Sequence, residues 1–174
     1  MSNSAVPEIL LVEDDPLAAE LVRRVLLGSG IAHTLEILTD GDTALRRLHG
    51  AGEFAARAAP ALVLLDLNLP GRDGREVLTE VRSTPSLAEI RVIVLSGSHQ
   101  DSDVLNALAN ASAFVMKPVD PPLLVAAVAR AMGTVPAGTP IARDAGRDRV
   151  SRRAGFVIAL VTLLAIAIWV ALAR

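Results

Sequence analysis

Ala61-Leu62-Val63-Leu64-Leu65-Asp66-Leu67-Asn68-Leu69-Pro70-Gly71-Arg72-Asp73-Gly74 is the stretch that decides the fold of this chain. Its unbroken apolar run, without polar alternation, describes a strand buried on both faces, as in a parallel sheet. The run closes on a carboxylate, Asp66. Pro70-Gly71 and Gly74 then supply a turn before a helical pattern begins. Working outward, Ile9-Leu10-Leu11-Val12 closes on Glu13-Asp14-Asp15, Val92-Ile93-Val94-Leu95 closes on Ser96, and Phe114-Val115-Met116 closes on Lys117-Pro118. Lys117 is the sole lysine in a chain whose Lys and Arg total 17. In an open parallel sheet the carboxyl ends of the strands share one edge, where ligands bind. Clustered acids, a lone carboxylate, a hydroxyl and an ammonium would therefore meet in one pocket, with the parts to hold a divalent cation and a phosphoryl group.

Strands are expected at 8–13, 33–38, 61–66, 90–96 and 112–116. The second alternates polar and apolar residues and reads as a sheet edge. Helices fill the gaps at 16–27, 42–50, 74–81, 101–110 and 121–132. The first carries Leu17, Leu21, Val25 and Leu26 as its apolar residues, with Arg23 and Arg24 outward, and starts on the N-cap signal Asp15-Pro16. Residues 51–59 form a slightly long connection. Five strand–helix units joined this briefly make a doubly wound α/β sandwich.

The chain has 174 residues, enough for one domain and an appendage. A net charge of −2 with one Trp and three Phe gives no nucleic-acid signal. The absence of cysteine excludes disulfides and thiolate metal sites. Residues 1–7 lack a signal-peptide core, so the N-terminal domain is expected in the cytoplasm. Residues 133–153, rich in Pro, Gly and alternating Arg and Asp, read as a linker. Residues 154–173, AGFVIALVTLLAIAIWVALA, carry no charge. As a helix they reach about 30 Å, the thickness of a bilayer core. Trp169 lies near one end, and Arg143, Arg147, Arg149, Arg152 and Arg153 precede the span while Arg174 follows it. The expectation is a single-pass C-terminal membrane anchor with the preceding domain on the cytoplasmic side.

These residues resemble the receiver domain of two-component response regulators over residues 8–132. The family's acidic pair matches Glu13 and Asp14, its phosphoacceptor Asp66, its Ser/Thr Ser96, its lysine–proline pair Lys117-Pro118, and its aromatic switch Phe114. DLNLPGRDGREVL, TPSLAEIRVIVLS and FVMKPVD look most like the small response regulators that partner phytochrome-type kinases. The resemblance implies a flavodoxin-like (βα)5 fold and phosphorylation of Asp66 by a histidine kinase. It implies Mg²⁺ held by Asp14, Asp66 and the main-chain carbonyl of Asn68, with Glu13 acting mainly through water. It also implies phosphoryl contacts from Ser96 and Lys117, a switch through Ser96 and Phe114, and a cis peptide before Pro118. Phe114 departs from the commoner Tyr and has no hydroxyl to offer. With a linker and an anchor after residue 132, output is expected by protein contact, dimerisation or phosphate transfer at the membrane. A homodimer is compatible with that output.

Two other readings have weaker support. A phosphohydrolase of the haloacid dehalogenase type needs an acid two residues after its nucleophile; that position is Asn68, which cannot protonate a leaving group. The chain is therefore not expected to be an enzyme. An unphosphorylated, membrane-tethered docking module would not need Glu13, Asp14, Asp66, Ser96 and Lys117 together. His33, His49 and His99 show no ligand spacing.

Overall fold

The computed structural model describes residues 6–97 and 111–134. Five strands, β1 (Glu8–Val12), β2 (Thr34–Leu38), β3 (Leu62–Asp66), β4 (Arg91–Ser96) and β5 (Ala113–Met116), form one sheet in the order β2-β1-β3-β4-β5. Every neighbouring pair is parallel. Four α-helices are described, α1 (Pro16–Gly28), α2 (Gly41–Leu48), α3 (Gly74–Ser83) and α4 (Pro121–Ala131), with one 3-10 turn at Gly52–Phe54. The strands begin and end within about a residue of their expected bounds, and the alternating β2 lies on the edge, as its pattern required.

Successive residues of a strand point to opposite faces. Leu10, Val12, Val63 and Leu65 pack on one face with Ala44, Leu45 and Leu48 of α2 and Val77, Leu78 and Val81 of α3. Ile9, Leu11, Leu62, Leu64, Ile93 and Leu95 face the other layer, where Ala19, Val22 and Leu26 of α1 meet Leu124, Ala127, Val128 and Ala131 of α4. Both faces of β1 and β3 are covered, which explains why these runs are continuously apolar. The helix expected at 101–110 and the apolar span 154–173 lie outside the described residues. Among the described residues, no helix is long and apolar enough to cross a membrane.

Helix α1 corrects one expectation. Its buried stripe is Ala19, Val22 and Leu26, whereas Leu17 is 80% and Leu21 40% exposed. The buried residues Ala19, Val22 and Leu26 lie three and four positions apart, on one face of the helix, and pack with the sheet residues Ile9, Leu11, Leu62 and Leu64. The N-cap is as expected: the Asp15 carboxylate accepts the Leu17 amide at 2.8 Å.

A buried cation at the opposite, amino-terminal end of the strands was not foreseen. Arg47 of α2 is 1% exposed. Its Nε donates to Glu36 Oε2 at 2.7 Å and its Nη1 to the Ala58 carbonyl at 3.1 Å. Its Nη2 pairs with Glu8, and its guanidinium lies 5.8 Å from the Phe54 ring centroid. The more exposed Arg57 also reaches Glu36, at 3.1 Å. Edge strand, neighbouring strand and α2 are thus tied by one charge network. Burial opposes the Glu36 carboxylate, but Arg47 and Arg57 outweigh it and the net shift of its pKa is downward. As pH falls, the unfolded chain therefore binds the proton first. The contribution of Glu36 is whole above the ordinary glutamate value of about 4.3 and is lost below it. Arg47→Ala, which removes the buried cation and leaves Glu8 and Glu36 only the more exposed Arg57, is expected to cost about 3 kcal/mol. It should also flatten this acid limb; urea melts at pH 7 and pH 4 check both, and a variant as stable as the parent would refute the assignment.

Candidate functional site

The parallel register brings the polar strand ends together. Val12 pairs with Leu65, Asp66 with Leu95 and Ser96 with Met116, so Glu13, Asp66, Ser96 and Lys117 all emerge at the carboxyl edge. The Glu13 amide is held by the Leu38 carbonyl at 2.9 Å, and the Lys117 amide by the Ser96 carbonyl at 2.6 Å. The Lys117–Pro118 peptide is cis.

Lys117 joins the two buried carboxylates. Its Nζ donates to Asp66 Oδ2 at 2.7 Å and to Glu13 Oε1 at 2.9 Å, and lies 2.6 Å from Glu13 Oε2. Glu13 is 1% exposed, Asp66 3% and Ser96 0%. Asp14 is exposed at the mouth. Burial pushes the Glu13 carboxyl up; the Lys117 hydrogen bond and charge pull it down, the Asp66 charge pushes up again, and the net direction is upward. For Lys117, burial disfavours the ammonium, but its hydrogen bonds to Asp66 and Glu13 prevail and its pKa rises. Both shifts describe one crowded acid cluster that shares a single cation. Lys117 is held as the ammonium by its two carboxylate partners within hydrogen-bond distance.

Glu13, Asp14 and Asp66 each offer a carboxylate oxygen, and these oxygens lie within 4.8 Å of one another. When ionised, three carboxylates against one ammonium leave a surplus of two negative charges. Glu13 Oε2 is moreover buried and has no hydrogen bond, only the ion-pair approach of Lys117. An oxygen-only donor set, a surplus charge of two and an under-satisfied buried oxygen fit a hard divalent cation.

The loop after Asp66 completes the pocket. The Asn68 amide donates to Asp66 Oδ1 at 3.2 Å, while Leu67 and Leu69 on either side are buried and Asn68 is exposed. Asp73 caps α3 by accepting the Arg75 amide at 2.7 Å. Phe114, in β5 opposite Val94, is half-buried against the core layer that contains Val92 and Val94. Residues 98–110, which include the loop beyond Ser96, lie outside the description.

Two contributors escaped the sequence reading. Gly74 reads there as a turn residue, but a Cβ on it would stand 2.1 Å from the Asp66 carbonyl oxygen and 2.7 Å from the Leu67 Cα. A glycine at the first position of a helix, directly after a good N-cap, is the signal that pointed to this close approach. Arg72 reads as a loop residue, yet it bridges Asp42 and Glu80.

Residues 9–129 match the response regulator receiver domain family. An α/β sheet of five parallel strands with an acidic, lysine-bridged pocket at its carboxyl edge is the architecture of that class, and this chain belongs to it. The chain is 48% identical over 107 residues to response regulator Rcp1 of Synechocystis, a match covering 60% of this chain and 73% of Rcp1. The Mn²⁺-bound structure of Rcp1 superposes with a TM-score of 0.62 at 40% identity, covering 73% of this chain and 90% of that one. The phosphorylated cyanobacterial phytochrome response regulator RcpA gives a TM-score of 0.62 at 35% identity, covering 75% and 91%. Rcp1 is thus a receiver seen with a divalent metal bound, and its class consists of signalling modules rather than enzymes.

Proposed function

We propose that this chain is a phosphoacceptor response regulator of a two-component phosphorelay, and that its partner is a histidine kinase of the phytochrome type. The partner class rests on the likeness to Rcp1 and RcpA. The observation that carries the chemistry is Lys117 Nζ lying between Glu13 and the buried Asp66, with Asp14 within reach. An Asp66 carboxylate oxygen attacks the phosphorus of a phosphohistidine. The new P–O bond forms as the P–N bond breaks, and the electron pair of that bond leaves with the imidazole. Lys117 transfers its ammonium contact from Asp66 to the phosphoryl oxygens as a compact point charge. Asp14, Asp66 and the Asn68 main-chain carbonyl would hold Mg²⁺, with Glu13 acting through water. Bound there, the ion would neutralise phosphoryl and carboxylate charge. The Ser96 hydroxyl then donates to the phosphoryl group, and Phe114 moves into the space this opens. The altered surface around β5 and α4 is what a downstream protein would read.

The uncharged span 154–173, with its preceding arginines, supports a C-terminal membrane anchor that holds the receiver on the cytoplasmic side. Such tethering would raise the effective concentration of the receiver beside a membrane-bound kinase or partner.

The test is intact mass of the full chain in detergent after acetyl phosphate and Mg²⁺. One added phosphoryl group is expected, absent after chelation and absent in Asp66→Asn. An unmodified chain that still binds beryllofluoride would indicate a short-lived adduct. An unmodified chain that binds neither would replace this reading with a docking module. Carbonate extraction of membranes from expressing cells tests the anchor: release into the supernatant would remove it.

A further inference from the structure

The loop that carries Asp66 and Asn68 is pressed from two sides. At its far end the Gly74 amide donates to the Leu67 carbonyl at 2.9 Å, and Gly74 lies against Asp66 itself. In its middle it meets the N-terminus of α2: a Cβ on Gly41 would stand 2.3 Å from the Arg72 carbonyl oxygen. Gly71 takes a positive φ of 73° there, and a Cβ on it would lie 3.5 Å from Asp42 Oδ2. Arg72 links both sides. Its Nε donates to Asp42 Oδ1 of α2 at 2.9 Å and its Nη1 to Glu80 Oε2 of α3 at 2.9 Å. The other Glu80 oxygen meets Nε2 of His49, the C-cap of α2, at 3.0 Å. Asn68 lies four residues before this clamp, between the buried anchors Leu67 and Leu69.

We propose that Arg72 is a positioning residue for the cation site: its bridge to Asp42 and Glu80 sets the height of the 67–74 loop, and with it the place of the Asn68 carbonyl beside Asp66. The inference rests on the reading of this pocket as a divalent-cation site. Exposed ion pairs of this kind add little to global stability. Their effect here falls on geometry instead, because a coordinating oxygen displaced by a fraction of an ångström loses much of its interaction. Residues that orient metal ligands commonly change affinity by about 10-fold or more when removed.

The test uses the full chain in detergent, with Mn²⁺ alone as the probe, and measures its dissociation constant by titration calorimetry at a temperature where every variant is folded. Arg72→Gln is expected to weaken Mn²⁺ binding about 10-fold. Asp42→Asn should weaken it in the same direction, and the double variant should be no worse than Arg72→Gln alone, because both changes break one bridge. Arg72→Lys should recover part of the loss. Arg46→Gln, on α2 with a loose 3.7 Å contact to Glu53, should leave affinity unchanged. A lower urea midpoint for Arg72→Gln with unaltered Mn²⁺ affinity would make the bridge purely structural and overturn the proposal. Equal losses in Arg46→Gln would overturn it as well, since the effect would then follow net charge. Absence of Mn²⁺ binding by the parent chain would overturn the reading of the pocket, and this proposal with it.

Discussion

Gly74→Ala is expected to lose about 3 kcal/mol of stability or more, together with phosphorylation of Asp66. The added methyl group would lie 2.1 Å from the Asp66 carbonyl oxygen, 3.0 Å from its carbonyl carbon and 2.7 Å from the Leu67 Cα. All three are backbone atoms of a fully buried stretch, so no rotamer change relieves the contact. Either α3 lifts from the end of β3, or the peptide after Asp66 turns and takes the carboxylate with it. The first costs burial of Val77, Leu78 and Val81, which are each about 1% exposed and each worth roughly 1.5–3 kcal/mol. The second moves the Asp66 carboxylate, the proposed phosphoacceptor. Gly28→Ala is the matched control: nothing stands within 4 Å of its Cβ position, and the residue is helical. It should be neutral or stabilising by about 0.5 kcal/mol. Urea melts and acetyl phosphate labelling of both variants decide the matter, and a Gly74→Ala protein that is stable and fully labelled would disprove the account.

Lys117→Met should separate two roles of one ammonium. In chelator it leaves the carboxylates of Glu13 and Asp66, both almost fully buried, without their shared cation, and stability is expected to fall by about 3 kcal/mol at neutral pH. The loss should shrink as pH falls, because the two acids then accept protons instead. It should also shrink with millimolar Mg²⁺, which supplies positive charge to the same cluster. Labelling by acetyl phosphate should slow by about 10²-fold or more even with Mg²⁺ present, since the ion does not replace a donor aimed at the phosphoryl oxygens. Denaturation with and without Mg²⁺, paired with the labelling rate, checks both parts. A variant that loses stability equally in chelator and in Mg²⁺ would show that Lys117 does not share its cluster with a cation.

The difference between these two variants reflects how each residue becomes visible. Lys117 stands out in the sequence as the lone lysine, at the end of an apolar run and ahead of a proline. Gly74 is one of 12 glycines, and its place after an N-cap hints at a close approach without saying that the Asp66–Leu67 backbone is what lies against it. Arg47 is a sharper case. On a helix with Arg46 beside it, it reads as solvated, yet Arg46 is exposed while Arg47 is buried among Glu8, Glu36 and Ala58. Its partners are 39 and 11 residues away in the chain. Helical periodicity assigns a face, but it does not say that the face holds acids able to receive a guanidinium. Leu17 and Leu21 fail in the opposite direction, because apolar character permits burial without requiring it.

Strand positions, strand order at the β2 edge and the polar residue closing each apolar run were written in local pattern, because continuous burial and a 2-residue period leave a signature within a few residues. So was the meeting of Glu13, Asp66, Ser96 and Lys117, since parallel strands must bring their carboxyl ends to one edge. The tertiary structure alone decided which stripe of α1 meets the sheet and that Arg47 is buried. It alone decided that Lys117 spans Glu13 and Asp66 at hydrogen-bond distance, and that the loop after Asp66 is wedged by Gly41 and Gly74. Apart from the approach of Gly74 to Asp66 and Leu67, a few residues before it, each depends on atoms brought together from distant parts of the chain, and contacts of that kind have no period to read.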